Sequence, residues 1–210
     1  MNTPTISVSA HEIAARLAAA VTADEAKLAE LRAGLVARAG RDGLIDVSYR
    51  TLDSPFGLLL LAASKDGLIR IAFEMERHED VLARLAADVS PRVLAAPAPL
   101  DDAARQLDEY FAGHRRRFDL RVDLRLARGF RRAVLDHLRD IDYGTTQSYA
   151  AVAAAAGKPT AVRAAGSACS HNPVPIVVPC HRVVRSDGTI GNYLGGTAAK
   201  QALLAMEAAA

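Results

Sequence analysis

Apolar residues recur at helical spacing over residues 6–40, which predicts a long helix at the start of the chain. Residues 9–12 and 22–25 each have the Ser/Thr-x-x-Glu form of a capping box, in which side chains satisfy free N–H groups at a helix start. The stretch is rich in alanine and stops at Gly40. Because it contains no cluster of reactive side chains, we interpret residues 1–44 as a helical N-terminal extension.

The pattern then changes to segments that are typical of β-strands. Residues 47–52 alternate between apolar and polar, residues 58–63 are continuously apolar, and residues 68–73 form a third apolar run. Because short turn sequences separate these runs, they predict an antiparallel meander.

The rest of this region predicts two helices and one further strand. One helix is expected at about residues 77–87 and a second around Leu107 and Tyr110, with a proline-bearing connection between them. Alternation over residues 118–124 predicts an edge strand. We therefore assign residues 45–125 to one compact α+β domain.

Residues 126–210 are predicted to be mostly helical. Two short helices, at residues 148–156 and 160–168, are joined by a tight turn at residues 157–159, which is the outline of a helix-turn-helix. An αα-hairpin inside a core fits the same pattern. Residues 186–189 predict a hairpin turn. Further helices are expected over the apolar positions Phe130, Val134, Leu135 and Leu138 and over residues 198–206.

Composition indicates a globular protein without a membrane-spanning helix. Half of the 210 residues are hydrophobic, yet no apolar run reaches the 18 residues that such a helix needs. The N-terminus has no basic stretch followed by an apolar one, so we expect no secretory signal. Cys169 and Cys180 are too few for a disulfide framework or for a zinc site made of cysteines alone, which favours the cytoplasm.

Charge is distributed unevenly along the chain. The net charge is only +2, but residues 127–210 contain nine Lys/Arg against five Asp/Glu. A mildly basic C-terminal half is compatible with binding to nucleic acid without demonstrating it.

Residues 177–184 contain the most reactive combination of side chains. Here Cys180 is followed directly by His181 and Arg182, whose positive charges could stabilise a thiolate, the attacking form of cysteine. The β-branched neighbours and Pro179 indicate a rigid, partly buried and extended segment. From these residues alone, a buried structural cysteine is the more common interpretation.

Several blocks of sequence resemble one protein family in their order and spacing. They are residues 143–149, 161–166, 172–176, 179–182 (Pro-Cys-His-Arg), 191–193 and 203–207. The family is that of the O6-alkylguanine-DNA alkyltransferases, also called methylated-DNA–protein-cysteine methyltransferases. The similarity is dense over residues 129–207 and weaker over residues 47–73, and residues 1–44 lie outside it.

The resemblance implies DNA repair by direct reversal of damage. Members of the family flip an O6-alkylguanine out of double-stranded DNA and transfer its alkyl group irreversibly to their own cysteine, once per molecule. The resemblance implies an N-terminal ribonuclease-H-like α/β domain with an antiparallel sheet and a mostly helical, winged-helix-like C-terminal domain. We expect a monomer that needs no cofactor, metal or membrane; cooperative binding to DNA stays open.

The resemblance assigns catalytic roles to five residues. Cys180 is the alkyl acceptor, and His181 would take its proton through a water while Glu207 orients the imidazole. Tyr149 would donate a hydrogen bond to the guanine as charge leaves O6, and Asn172 would brace the turn before the cysteine. Without the resemblance, Glu207 is better interpreted as a solvated residue and Tyr149 as a core tyrosine.

The resemblance also assigns contacts with DNA. Arg163 would fill the gap left by the flipped base, and the small residues Ala164, Ala165 and Gly166 would let their helix approach the minor groove. Close packing between helices explains these small residues equally well. Tyr193 would line the pocket for the base.

Some positions are ambiguous or depart from the family pattern. We place Arg182 with the substrate-contacting residues, as a counter-ion for the thiolate, although a salt bridge fits equally. Leu135 stands where the family often has tryptophan, which changes core packing. Leu194 is bulky where a small residue is frequent, which puts tolerance of large O6 substituents in doubt. Cys169 is expected to be buried and inert.

Two other functions are weaker interpretations of the same residues. A non-enzymatic lesion binder of the alkyltransferase-like class lacks an acceptor cysteine, whereas this chain has Cys180. A DNA-binding regulator could use its cysteine to sense alkylation. Residues 1–44 are short and contain no cysteine, which counts against a metal-bound sensing domain.

Overall fold

The computed structural model describes residues 10–209, with side chains described at residue 24 and over residues 27–209. It divides into two compact units at Leu44, and the first contains one helix, α1 (Ala10–Arg41). The predicted start of that helix, before Ala10, lies outside the described residues. Within the described part of the chain, no helix is long and apolar enough to cross a bilayer.

The second unit begins with a four-stranded sheet. Its strands are β1 (Val47–Leu52), β2 (Leu59–Ser64), β3 (Gly67–Phe73) and β4 (Val93–Ala95), in the spatial order β3-β2-β1-β4. The strands β1, β2 and β3 pair antiparallel, which confirms the predicted meander, whereas β4 joins β1 in parallel.

The sheet is covered on both faces, which explains the continuously apolar sequence of β2. Leu60 points into a cluster with Val81 and Leu85 of helix α2 (His78–Asp88). Its neighbour Leu59 points the other way, because successive side chains of a strand face opposite sides. There it joins the main core together with helix α3 (Asp101–Phe111).

The strand predicted at residues 118–124 is wrong. Only one isolated bridge forms there, between Leu68 and Val122. The reason is that the Gln106 side chain takes the backbone hydrogen bonds that Asp119 would make with a neighbouring strand. Its amide donates to the Asp119 carbonyl over 3.0 Å and accepts from the Asp119 N–H over 2.8 Å. The alternating apolar residues are therefore packed on the core without belonging to the sheet.

The C-terminal part is mostly helical, as predicted. Its elements are α4 (Gly129–Leu138), β5 (Gln147–Ser148), α5 (Tyr149–Ala155), α6 (Val162–Ser170), β6 (Val183–Val184) and α7 (Gly196–Ala208). The turn between α5 and α6 contains Gly157 at a φ of 82°, a conformation that favours glycine. The turn at residues 186–189 is present, but β6 pairs in parallel with β5 and forms no hairpin.

One hydrophobic core runs through both parts of the second unit. Leu59 and Leu107 belong to the same cluster as Leu135, Val152 and Leu203. The domain boundary between residues 125 and 126 therefore stays a prediction, since residues 45–210 form one compact unit.

Candidate active site

Cys180 lies on a single 3-10 turn, Cys180–Arg182, that directly precedes β6. The segment was predicted to be rigid, partly buried and extended, but every residue from Asn172 to Val184 is buried and the cysteine lies on a helical turn. Cys180 itself is only 2% exposed. The sulfur is therefore closed off from solvent, and side chains must move before a nucleobase can reach it.

Asn172 fixes the turn that carries the cysteine. Its side-chain amide donates to the Val178 carbonyl over 2.8 Å and to the Cys180 Sγ over 3.1 Å, and its Oδ1 accepts the Val174 N–H over 3.0 Å. The same turn holds Ile176 at a φ of 74°, which is strained for a β-branched residue. Asn172 therefore braces the turn and also touches the sulfur.

The sulfur is a thiol in the resting structure, contrary to the expected thiolate. Burial raises the pKa of Cys180 to about 11, although the Asn172 hydrogen bond and the Lys200 charge oppose this rise. At neutral pH the proton stays on sulfur, so the site needs a base to remove it.

His181, the next residue, is neutral and has one ring nitrogen without a partner among the described residues. Its Nε2 lies 2.9 Å from Oε1 of Glu207, and because a carboxylate only accepts hydrogen bonds, Nε2 carries the proton. Nδ1 then has a free lone pair, and within the described residues this buried atom has no hydrogen-bond partner. Burial lowers the pKa of His181, partly offset by Glu207, so the imidazole is neutral.

Glu207, on α7, is the centre of a buried polar network. The Arg182 guanidinium donates to both carboxylate oxygens at 2.9 Å, the Tyr110 hydroxyl donates to Oε1 at 2.6 Å, and the Gly144 N–H donates to Oε2 at 3.2 Å. Burial raises the pKa of Glu207, but the hydrogen bonds from His181, Arg182 and Tyr110 outweigh it and lower that pKa to about 2. Glu207 is therefore ionised, and it is not the solvated residue that its position alone suggested.

Arg182 takes part in this network and does not face a substrate. It is 6% exposed, and besides Glu207 it donates to the Ile141 carbonyl over 2.6 Å. The salt-bridge alternative is the one observed, because Nε and Nη2 donate to Glu207 and Nη1 donates to the Ile141 carbonyl. This buried arrangement does not support the predicted contact of Arg182 with substrate or DNA.

Tyr149 begins α5 and stands beside the glycine of the 191–193 segment. A Cβ added at Gly191 would lie 2.6 Å from the Tyr149 hydroxyl. Burial, with the nearby Cys169 and Cys180 sulfurs, raises the pKa of Tyr149 to about 12, so the hydroxyl keeps its proton as a donor. The pairing of β5 with β6 joins the start of α5 to the strand that follows the cysteine turn, and the Cys180 sulfur is close enough to raise the pKa of Tyr149.

Tyr193 packs between the sheet and the histidine. Its ring centroid lies 5.6 Å from that of Phe73 and 6.3 Å from that of His181. Its hydroxyl is buried and has no hydrogen-bond partner among the described residues. A buried hydroxyl without a partner is suited to form a hydrogen bond with a group that enters the site.

Sequence reasoning missed two buried residues of this site. Lys200 is fully buried and donates to the Val183 carbonyl over 2.5 Å; its spacing of seven residues from Glu207 places both on one face of α7, which was the available signal. From the sequence, Tyr110 is only one position of the helix predicted around Leu107, which is α3 in the structure. Nothing in the sequence links its hydroxyl to Glu207, which is 97 residues further along the chain.

The outer face of α6 carries only part of the predicted DNA-contacting set. Arg163 and Ala164 are exposed, and Gly166 is half-buried against the Tyr149 ring. Ala165 is fully buried in the core, so its predicted contact with DNA is wrong. For Ala165 the alternative of close helix packing is correct.

Two structural features together define a class of protein. A buried cysteine is followed directly by a histidine that is paired with a glutamate, a combination that nucleophilic catalysis by cysteine uses. In addition, α5 with α6 forms a helix-turn-helix with an exposed arginine. The fold and the site thus describe a DNA-binding protein that carries a reactive cysteine.

Family models and individual relatives agree with this class. The ribonuclease-like domain of 6-O-methylguanine DNA methyltransferase matches residues 47–124, and its DNA binding domain matches residues 129–209. A methylated-DNA–protein-cysteine methyltransferase of Mycolicibacterium paratuberculosis is 42% identical over 161 residues, covering 77% of this chain and 92% of the relative. The constitutive enzyme of Bacillus subtilis is 37% identical over 156 residues, covering 74% and 92%.

Solved structures agree as well. The Mycobacterium tuberculosis O6-methylguanine methyltransferase is 38% identical with a TM-score of 0.68, covering 78% of this chain and 93% of that one. The M. tuberculosis OGT in complex with DNA is 37% identical with a TM-score of 0.67, covering 77% and 93%. The chain belongs to the methylated-DNA–protein-cysteine methyltransferase family, which confirms the predicted family, fold class and enzyme class.

Proposed function

We propose that this protein repairs O6-alkylguanine in double-stranded DNA by transferring the alkyl group irreversibly to Cys180. The observation that carries the proposal is the unpartnered Nδ1 of His181, held by Glu207 in a site whose cysteine is braced by Asn172. Incubation with a duplex that contains one O6-methylguanine tests it. One guanine should be restored per protein molecule, and a protein that turns over repeatedly or restores none would contradict the proposal.

The transfer starts with removal of the proton from Cys180. A water between Sγ and Nδ1 of His181 passes this proton to the imidazole, and Glu207 stabilises the resulting imidazolium. The water is the simplest bridge, because Nδ1 is buried and has a free lone pair.

The thiolate then attacks the alkyl carbon. The S–C bond forms as the C–O6 bond breaks, and the electron pair of that bond moves into the guanine. Tyr149 donates a hydrogen bond to the ring, so that the developing negative charge is neutralised. A proton ends on the guanine, and thiol plus O6-alkylguanine become thioether plus guanine. A thioether cannot return the alkyl group, which limits each molecule to one transfer.

The O6 atom is inside the base stack, so the nucleotide must leave the duplex first. We assign this step to α6, whose outer face presents Arg163 and Ala164 to solvent. Arg163 would fill the space left in the stack. In this scheme DNA supplies the alkyl group and Cys180 keeps it, so no cofactor takes part. The two free cysteines are compatible with the reducing cytoplasm, and the monomeric state stays a prediction.

Replacing Arg163 with alanine is expected to slow repair of duplex DNA by about 30-fold or more, because extrusion of a base costs a few kcal/mol. Reaction with the free alkylated base should change little, because it needs no flipping. The measurement is the single-turnover rate on both substrates. Arg105→Ala, at an exposed site on α3, is the control and should leave both rates unchanged. Equal losses on the two substrates for Arg163→Ala would remove this role.

Replacing Gly191 with alanine is expected to lower the transfer rate about 100-fold, because the new Cβ displaces the Tyr149 hydroxyl by about an ångström. The rate is measured in single turnovers on a methylated oligonucleotide. The matched test is Gly191→Ala in a Tyr149→Phe background, where the hydroxyl is already gone. If the alanine costs as much there as in the native background, the effect does not act through the Tyr149 hydroxyl.

A further inference from the structure

Tyr110 belongs to the ribonuclease-like part of the chain, and its side chain contacts His181 and Glu207 in the other part. It lies on α3, within the range 47–124, and its side chain is fully buried. Its hydroxyl donates to Oε1 of Glu207 over 2.6 Å and lies 3.4 Å from Nε2 of His181. Oε1 is the same oxygen that accepts the His181 N–H, so one atom receives both donors.

We propose that Tyr110 is a positioning residue for alkyl transfer, an inference that rests on the proposed function. By holding Oε1, the tyrosine keeps the carboxylate turned towards Nε2 and so keeps the imidazole proton there. Nδ1 is then left as the acceptor for the proton of Cys180. In this way a residue of the ribonuclease-like part of the chain sets which nitrogen of His181 carries the proton.

The direction of hydrogen bonding supports this role. Burial raises the pKa of Tyr110, and the Glu207 charge raises it further, so the hydroxyl keeps its proton and can only donate to the carboxylate. Each donor on Oε1 withdraws electron density from it and weakens its attraction for the imidazole proton. With Tyr110 in place, His181 stays neutral and Nδ1 stays available.

Loss of the hydroxyl should therefore have a defined effect on pH dependence. With one donor fewer, Glu207 would favour the charged imidazolium more strongly, and the pKa of His181 would rise. Transfer needs neutral His181, so the acid limb of the rate profile would move to higher pH. The other groups that face His181 from the packed elements keep their effects in this variant: Arg182, Lys200 and Tyr193.

The chain offers a matched control in Tyr143. Its ring centroid lies 6.1 Å from that of Tyr110, and its hydroxyl is buried with no hydrogen-bond partner among the described residues. Tyr143→Phe removes the same atom from the same core without removing a hydrogen bond. Any effect of Tyr110→Phe beyond that of Tyr143→Phe belongs to the contact with Glu207.

The experiment measures the single-turnover rate of methyl transfer from a duplex oligonucleotide as a function of pH, with DNA affinity measured in parallel. Tyr110→Phe in the full chain should lower the rate at neutral pH about tenfold, the size of one hydrogen bond to a charged group. Its acid limb should move up by about half a pH unit or more. DNA affinity should be unchanged, and Tyr143→Phe should match the unmodified protein in all three measurements.

A purely structural role would lower the active fraction without moving the acid limb, and that result would overturn the proposal. If Tyr110→Phe does not fold, nitrogen-15 NMR of the histidine side chains in the unmodified protein is used to find which ring nitrogen of His181 carries the proton. The proposal requires His181 to carry its proton on Nε2, and a proton on Nδ1 would overturn it. An unmodified protein that transfers no methyl group contradicts the proposed function instead, so the two failures are distinguishable.

Discussion

Replacing Cys180 with serine is expected to abolish methyl transfer, with a loss of roughly 10⁴-fold or more in rate. A serine hydroxyl holds its proton far more tightly than a thiol, and neutral His181 is too weak a base to create an alkoxide. Binding to DNA should be retained within about threefold, because phosphate contacts dominate that affinity. The loss is measured as methyl remaining on a labelled duplex, and the affinity as a titration at fixed salt.

Cys169 provides the control for this substitution. It is the other cysteine of the chain, 5% exposed on α6, and burial raises its pKa, so the sulfur keeps its proton. Cys169→Ala should keep the full extent of transfer. Methyl transfer by Cys180→Ser, or loss of transfer only in Cys169→Ala, would show that the acceptor has been misassigned.

Replacing Glu207 with glutamine is expected to destabilise the fold by about 3–5 kcal/mol, because it leaves the buried Arg182 guanidinium without its counter-ion. The carboxylate also contributes to the pH dependence of stability. Its pKa falls from 4.5, the ordinary value for a glutamate, to about 2 in the fold, so its contribution is present above pH 4.5 and is lost as pH falls towards 2. Chemical denaturation across this range should show the loss in the native chain and a much smaller one in the variant.

The exposed pair Arg132–Asp136 on α4 is the matched control, with both side chains nearly half exposed. Asp136→Asn should change the free energy of unfolding by no more than about 0.5 kcal/mol. If Glu207→Gln costs no more than Asp136→Asn, the buried network does not hold the site together.

The sequence predicted those parts of the fold in which local pattern and packing agree. The runs that became β1, β2 and β3 carry both the apolar pattern and the turns of a meander. The turn at Gly157 marked the helix-turn-helix for the same reason. At residues 118–124 the pattern was misleading, because the Gln106 side chain takes the backbone groups of Asp119.

The site was predictable in its residues but not in its protonation states. The family resemblance identified Cys180, His181 and Glu207, and the structure brings the latter two within 2.9 Å. That the thiol is neutral depends on burial, which no motif reports. Tyr110 could not be found at all, since its contact with Glu207 exists only once the two halves of the chain are packed together.

The most direct test is mass spectrometry of the unmodified protein after incubation with a duplex that contains O6-methylguanine. The proposed mechanism predicts a mass increase of one methyl group per molecule, located on the peptide that contains Cys180, with guanine restored in the DNA. A protein that binds the duplex and gains no methyl group, or gains it at another residue, would contradict it.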